Sequence, residues 1–155
     1  MEFTTELIRM KPSRLKPNEG DIFVIQPKEG FYYYGKVIRT NILNKDPMIN
    51  GWNVIYIYNK LSKEVVLPDI LDPQQLLIPP QIVNNQGWLK GYFMTVGSSQ
   101  ITKNDIIDYG FWDVFRKRFV NEEGTLLGYE PKIWADYGLG SYGIVGHDVQ
   151  EALKN

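Results

Sequence analysis

Two runs near the start limit the fold most: Asp21-Ile22-Phe23-Val24-Ile25-Gln26 and Phe31-Tyr32-Tyr33-Tyr34-Gly35-Lys36-Val37-Ile38-Arg39-Thr40, both dense in β-branched and aromatic residues. Such side chains suit a pleated, half-buried surface. Pro27 stops the first run and Lys28-Glu29-Gly30 supplies a glycine-containing turn, so the pair predicts a β-hairpin. Gly35 inside the second run packs nothing of its own and predicts a bulge or a sharp barrel-type bend, hence a curved sheet. After the turn formers of Asn41 to Gly51, Trp52-Asn53-Val54-Ile55-Tyr56-Ile57-Tyr58 resumes the pattern. Its alternating faces, Val54/Tyr56/Tyr58 and Ile55/Ile57, are both apolar, which predicts a strand covered on both sides.

From Leu61 to Pro80 the chain carries Pro68, Pro73, Pro79 and Pro80, which exclude a long helix and leave a connection with a short strand near Leu77-Ile78. Gly87 to Val96 reads as another strand. Phe111 to Val120 reads as a further one that turns through Asn121-Glu122-Glu123-Gly124 into Thr125-Leu126-Leu127. Near the end, Asp148 is placed to cap a short helix carrying Val149, Ala152 and Leu153 toward the sheet. The expected fold is α+β, mainly β: a strongly curved, barrel-like, largely antiparallel sheet with a short C-terminal helix, in one domain over residues 1–155.

Aromatic residues make up 14% of the chain, which strengthens the β reading, and cysteine is absent. A disulfide framework, a thiol nucleophile and a thiolate metal site are therefore excluded, and a reducing cytoplasm is the expected compartment. The opening MEFTTELIRMKPSR, with Glu2 and Glu6, lacks the apolar stretch of an export signal, and no run reaches membrane-spanning length. A formal net charge of −1 gives no overall field for phosphate backbones or anionic lipid, so neither nucleic acid nor membrane is the expected partner.

Gly138-Leu139-Gly140-Ser141-Tyr142-Gly143-Ile144-Val145 matches the G-x-G-x-x-G dinucleotide fingerprint. That chemistry needs a preceding strand, a following helix and a downstream acidic or lysine partner, and the stretch after Val145 offers little room for them, so the run is read as a glycine-rich structural or recognition loop. His147 is the only histidine, without the surroundings of a nucleophile elbow, and with no cysteine beside it no metal or cofactor site is expected. Asp105, Asp108 and Asp113 cluster in sequence, as do Glu122 and Glu123, but Asn104-Asp105 and Asp108 are read as turn or cap residues and Glu122-Glu123 as a hairpin loop rather than as an acid/base pair. In Arg116-Lys117-Arg118, strand alternation sends the arginines to one solvated face and Phe115, Lys117 and Phe119 to the other.

Gly20-Asp21-Ile22-Phe23-Val24-Ile25, followed by Gly30-Phe31-Tyr32-Tyr33-Tyr34-Gly35-Lys36-Val37-Ile38, resembles the opening signature of the immunity protein 26 family of bacterial polymorphic-toxin systems: a G-D-I-F-x-I strand, a turn, then a G-x-Y-x-Y-G-[KR]-V strand. Gln26-Pro27-Lys28-Glu29 departs from the family's proline-first turn, and beyond Ile38 the likeness rests on length, the Val54 to Tyr58 strand and Gly87-Trp88. The resemblance implies a non-enzymatic cytoplasmic protein that binds a cognate toxin. An interface on the order of 1,600 Å² would cover the toxin's active site. Loops offer contacts at little ordering cost, and carboxylates suit basic active sites while tyrosines make good anchors. The expected partner-binding residues are Asp69, Asp72, Glu122, Glu123, Tyr137 and Tyr142. A β-barrel adaptor or ligand-binding module is the alternative.

Overall fold

A five-stranded sheet in the order β4-β3-β2-β1-β5 carries the fold, built from β1 (Asp21–Lys28), β2 (Phe31–Arg39), β3 (Asn53–Ser62), β4 (Leu76–Val83) and β5 (Met94–Ser98). The computed structural model describes residues 7–154, so the opening Met1 to Glu6, with its early acids, lies outside the described residues. The hairpin of β1 and β2 forms as expected, closed by Glu29-Gly30, with Gly30 at φ 81° and its N–H donated to Gln26 Oε1 at 2.9 Å. Pro27 does not end β1. It sits in a bulge between Ile25 and Lys28, where the ladder skips and its missing N–H costs nothing.

Alternation along β1 and β3 sorts the core onto two faces. Phe23, Ile25, Val37, Ile55 and Ile57 point to one, where they meet Val145 and Val149 of α2 (Tyr142–Leu153) and Trp88 of α1 (Gln86–Leu89). Val24, Tyr34, Val54, Tyr56 and Tyr58 point to the other, where they meet Phe111 and Val120 of a second sheet. That sheet has the order β7-β6-β8, from β6 (Tyr109–Asp113), β7 (Arg118–Val120) and β8 (Ile133–Asp136). β6 and β7 are antiparallel, whereas β6 and β8 are parallel. The class is α+β, mainly β, but neither sheet closes on itself. The curved, barrel-like single sheet is replaced by two open sheets, so no barrel interior exists to serve as a groove.

Three local readings are corrected. β4 is longer than the short strand near Leu77-Ile78 and runs through Pro79 and Pro80; it is an edge strand, and the prolines fall where its register with β3 shifts between Ile78 and Gln81. The strand read over Gly87 to Val96 is instead helix α1, a left-handed turn at Gly91 (φ 86°) and then β5. Trp88 and Phe93 are aromatic because both pack on Phe23, at ring centroid distances of 5.3 and 5.1 Å. The cap of α2 lies seven residues before the expected one: Ser141 is its N-cap and accepts from the Gly143 N–H at 3.3 Å, while Asp148 lies inside the helix. No helix of the described residues is long and apolar enough to cross a membrane.

Candidate partner-binding face

The run Phe111 to Val120 is broken by a tight turn at its middle, and the cause is Asp113. Its Oδ1 accepts from the N–H groups of Phe115 (3.1 Å) and Arg116 (3.2 Å), and its carbonyl accepts from Lys117 at 2.7 Å. Lys117 takes the left-handed conformation, φ 54°, to complete the reversal. Strand alternation therefore fails for Phe115-Arg116-Lys117: these residues form the tip of the β6-β7 hairpin. Phe115 is 93% exposed and Val114 is exposed beside it. An aromatic side chain so fully in water, on a hairpin held by a packed sheet, has no structural use in the free chain. The outer face of the same sheet carries Trp112, Phe119 and Trp134, with ring centroids 4.8 Å apart for Trp112 and Phe119 and 5.3 Å for Phe119 and Trp134. The readable signal was Asp113, a side chain able to nucleate a turn.

The six expected contact residues are scattered by the structure. Glu122 is only 5% exposed; its Oε2 takes an Arg39 N–H at 2.7 Å and its Oε1 the Tyr109 hydroxyl at 3.0 Å. Glu123 shares the Arg39 guanidinium at 3.3 Å. The Tyr137 hydroxyl accepts from Asn44 Nδ2 at 2.7 Å, and the same amide donates to the Glu122 carbonyl at 3.0 Å. These three residues thus come together at the seam where the loop after β2 meets the second sheet. Asp69 is exposed and pairs with Lys60 at 2.8 Å, which holds its carboxyl below the ordinary value. Asp72 Oδ1 caps the turn at Gln74. Tyr142 is half-buried and stacked on Tyr92, 4.4 Å between centroids. All six are thus engaged in contacts within the chain, a use that local sequence cannot display.

A buried ion pair sits between the sheet and the loop after β5. Lys36, 4% exposed, lies 3.4 Å from both carboxylate oxygens of Asp105, whose Oδ2 also accepts from the Thr102 N–H at 2.8 Å. The Tyr56 hydroxyl donates to the Asp105 carbonyl at 2.7 Å. Burial pushes the phenols of Tyr56, Tyr58 and Tyr109 well above their ordinary range, so all stay neutral. Asp108, the other candidate acid, accepts from Tyr129 and from the Lys132 N–H.

The glycine-rich run does have a strand before it, β8, and a helix after it, α2. Its amides are nevertheless in use: the Gly140 N–H donates to the Ile82 carbonyl at 2.7 Å, tying the loop to β4. Asp148 faces a cavity of about 250 Å³ beside this loop. Its carboxyl is held above the ordinary value, chiefly by burial and further by Asp136, against the opposing pull of His147, which is exposed on α2. A raised carboxyl favours folding while protonated, and that contribution is lost as pH rises through its folded pKa. Asp148→Asn is therefore expected to raise Tm at pH 7 and to lose this advantage near pH 3, as thermal unfolding at the two pH values would show.

A family model described as Immunity protein 26 matches residues 18–121, which span β1 through β7. No curated protein and no solved structure gives a significant match.

Proposed function

Because the chain belongs to the immunity protein 26 family, we propose that it binds and neutralises a cognate bacterial toxin in the cytoplasm, covering the toxin's active site without chemistry of its own. The observation that carries this reading is Phe115, a fully exposed aromatic on a hairpin that Asp113 pins and the sheet supports. Interface anchors are commonly aromatic side chains presented by rigid elements, because little conformational entropy is lost when they dock. The carboxylate-led surface expected from sequence is the weaker choice here, since Glu122 is withdrawn from solvent and Glu123 and Asp69 are paired within the chain.

Co-expression with the product of the gene beside its own tests the reading directly: growth rescue together with a co-purified complex is the expected result, and cell death despite abundant immunity protein rejects it. Phe115→Ala should leave unfolding free energy within about 0.5 kcal/mol of the parent, as befits a surface change. The same change should weaken toxin binding by about 2 kcal/mol, roughly thirtyfold in Kd. Titration calorimetry beside urea unfolding separates the two effects.

A further inference from the structure

The cavity of about 250 Å³ beside Asp148 is walled by the end of β8, the glycine-rich run, one face of α2 and Gln81 of β4. Its charged groups are of one sign. Asp136 and Asp148 both face it, no lysine or arginine lines it, and among the described residues neither carboxylate has an ion-pair partner. A third acceptor joins them. Gln81 is 7% exposed, and its amide donates to the Pro79 carbonyl at 3.1 Å. That bond leaves Oε1 turned toward Gly140 on the cavity wall, 3.9 Å from where a Cβ at that glycine would lie. The Gly140 N–H, a donor on the same wall, is already spent on the Ile82 carbonyl. A half-buried carboxylate without a counter-charge costs the free chain stability, and a cation entering the site returns it.

Asp136 joins this cavity to the outer aromatic face of the second sheet. It is the register partner of Trp112 and lies two positions after Trp134 in β8, so all three side chains leave the same face, with Phe119 paired to Trp112. Trp134 is 37% exposed and Asp136 is exposed beside it. A bare metal ion gains nothing from these rings. The stem of a lysine or arginine packs along them, and its charge is attracted to an aromatic face. Resting on the immunity reading, we infer that the cavity receives a lysine or arginine side chain of the toxin, its head among Asp136, Asp148 and Gln81 Oε1 and its stem along Trp112 and Trp134. It adds a charged contact to the Phe115 anchor, which lies at the same end of the sheet, just beyond Trp112 and Asp113.

Titration calorimetry with the neighbouring gene's product, at two salt concentrations, tests this. Asp148→Asn is expected to stabilise the free chain at pH 7, so a weaker complex cannot come from a damaged fold. It should raise Kd roughly tenfold or more, and Asp136→Asn roughly threefold, each with a flatter salt dependence. Glu29→Gln at the β1-β2 turn removes an equal charge outside the cavity and should change neither property. A native Kd for Asp148→Asn overturns the inference and leaves the immunity reading standing. Calcium or magnesium chloride should leave the Tm of the free chain unchanged. A rise that Asp148→Asn abolishes would assign the cavity to a metal ion and overturn the inference as well. Failure of the unaltered chain to bind or to rescue growth overturns both readings.

Discussion

Gly35→Ala is expected to lower Tm by roughly 4–12 °C, through an overpacking cost of about 2–3 kcal/mol. Gly35 of β2 is the direct cross-strand partner of Phe23 on β1, and the Phe23 ring lies flat over it: a Cβ at position 35 would come within 2.3 to 2.8 Å of three ring atoms. The ring has nowhere to retreat, because Trp88 meets it edge-on and Phe93 stacks behind it. The backbone of β2 would have to move instead, at the point where its register with β3 shifts between Tyr33 and Gly35. A compensating pair distinguishes this cause from a loss of backbone freedom. Phe23→Leu alone leaves a cavity, but Gly35→Ala with Phe23→Leu should cost less than the sum of the two, because the smaller side chain vacates the space that the new methyl needs. Strict additivity in thermal or urea unfolding would refute the account.

The second large effect falls on Lys36. Lys36→Ala should destabilise by about 3–5 kcal/mol, since it leaves the Asp105 carboxylate charged and nearly out of water without its counter-ion. The pair itself is not tightly made: both contacts are 3.4 Å, well beyond the roughly 2.7–2.9 Å of a strong charge-assisted bond. Its value lies in cancelling two burial penalties rather than in strong attraction. The double change Lys36→Met with Asp105→Asn removes both charges, keeps an acceptor for the Thr102 N–H, and should come within about 1 kcal/mol of the parent. A double-mutant cycle by urea unfolding measures this, and a double variant as unstable as Lys36→Ala would show that the charge itself is required.

Both effects concern residues inside the hairpin that was legible from the start. The β1-β2 pair and the two-faced strand β3 could be read locally because the alternation of apolar residues and the placing of Gly30 are short-range properties. The terminal helix was legible in kind and not in extent, since Ser141 is as good a start signal as Asp148 but was hidden among glycines. Gly87 to Val96 misled because aromatic residues mark burial as well as strands, and here burial on Phe23 governs.

What the sequence determined by itself is the β-rich class, the opening hairpin with its family signature and the exclusion of thiol chemistry, all consequences of residue type and near-neighbour spacing. Only the tertiary structure decided which charges are spent. Arg39 meets Glu122 across 83 positions, Lys36 meets Asp105 across 69, and the two open sheets fold over each other to bring them together. Local pattern cannot show a hydrogen bond to a distant group, so Glu122, which looks available in the sequence, is internal in the fold, and Phe115, which looks like one face of a strand, is left at an exposed tip.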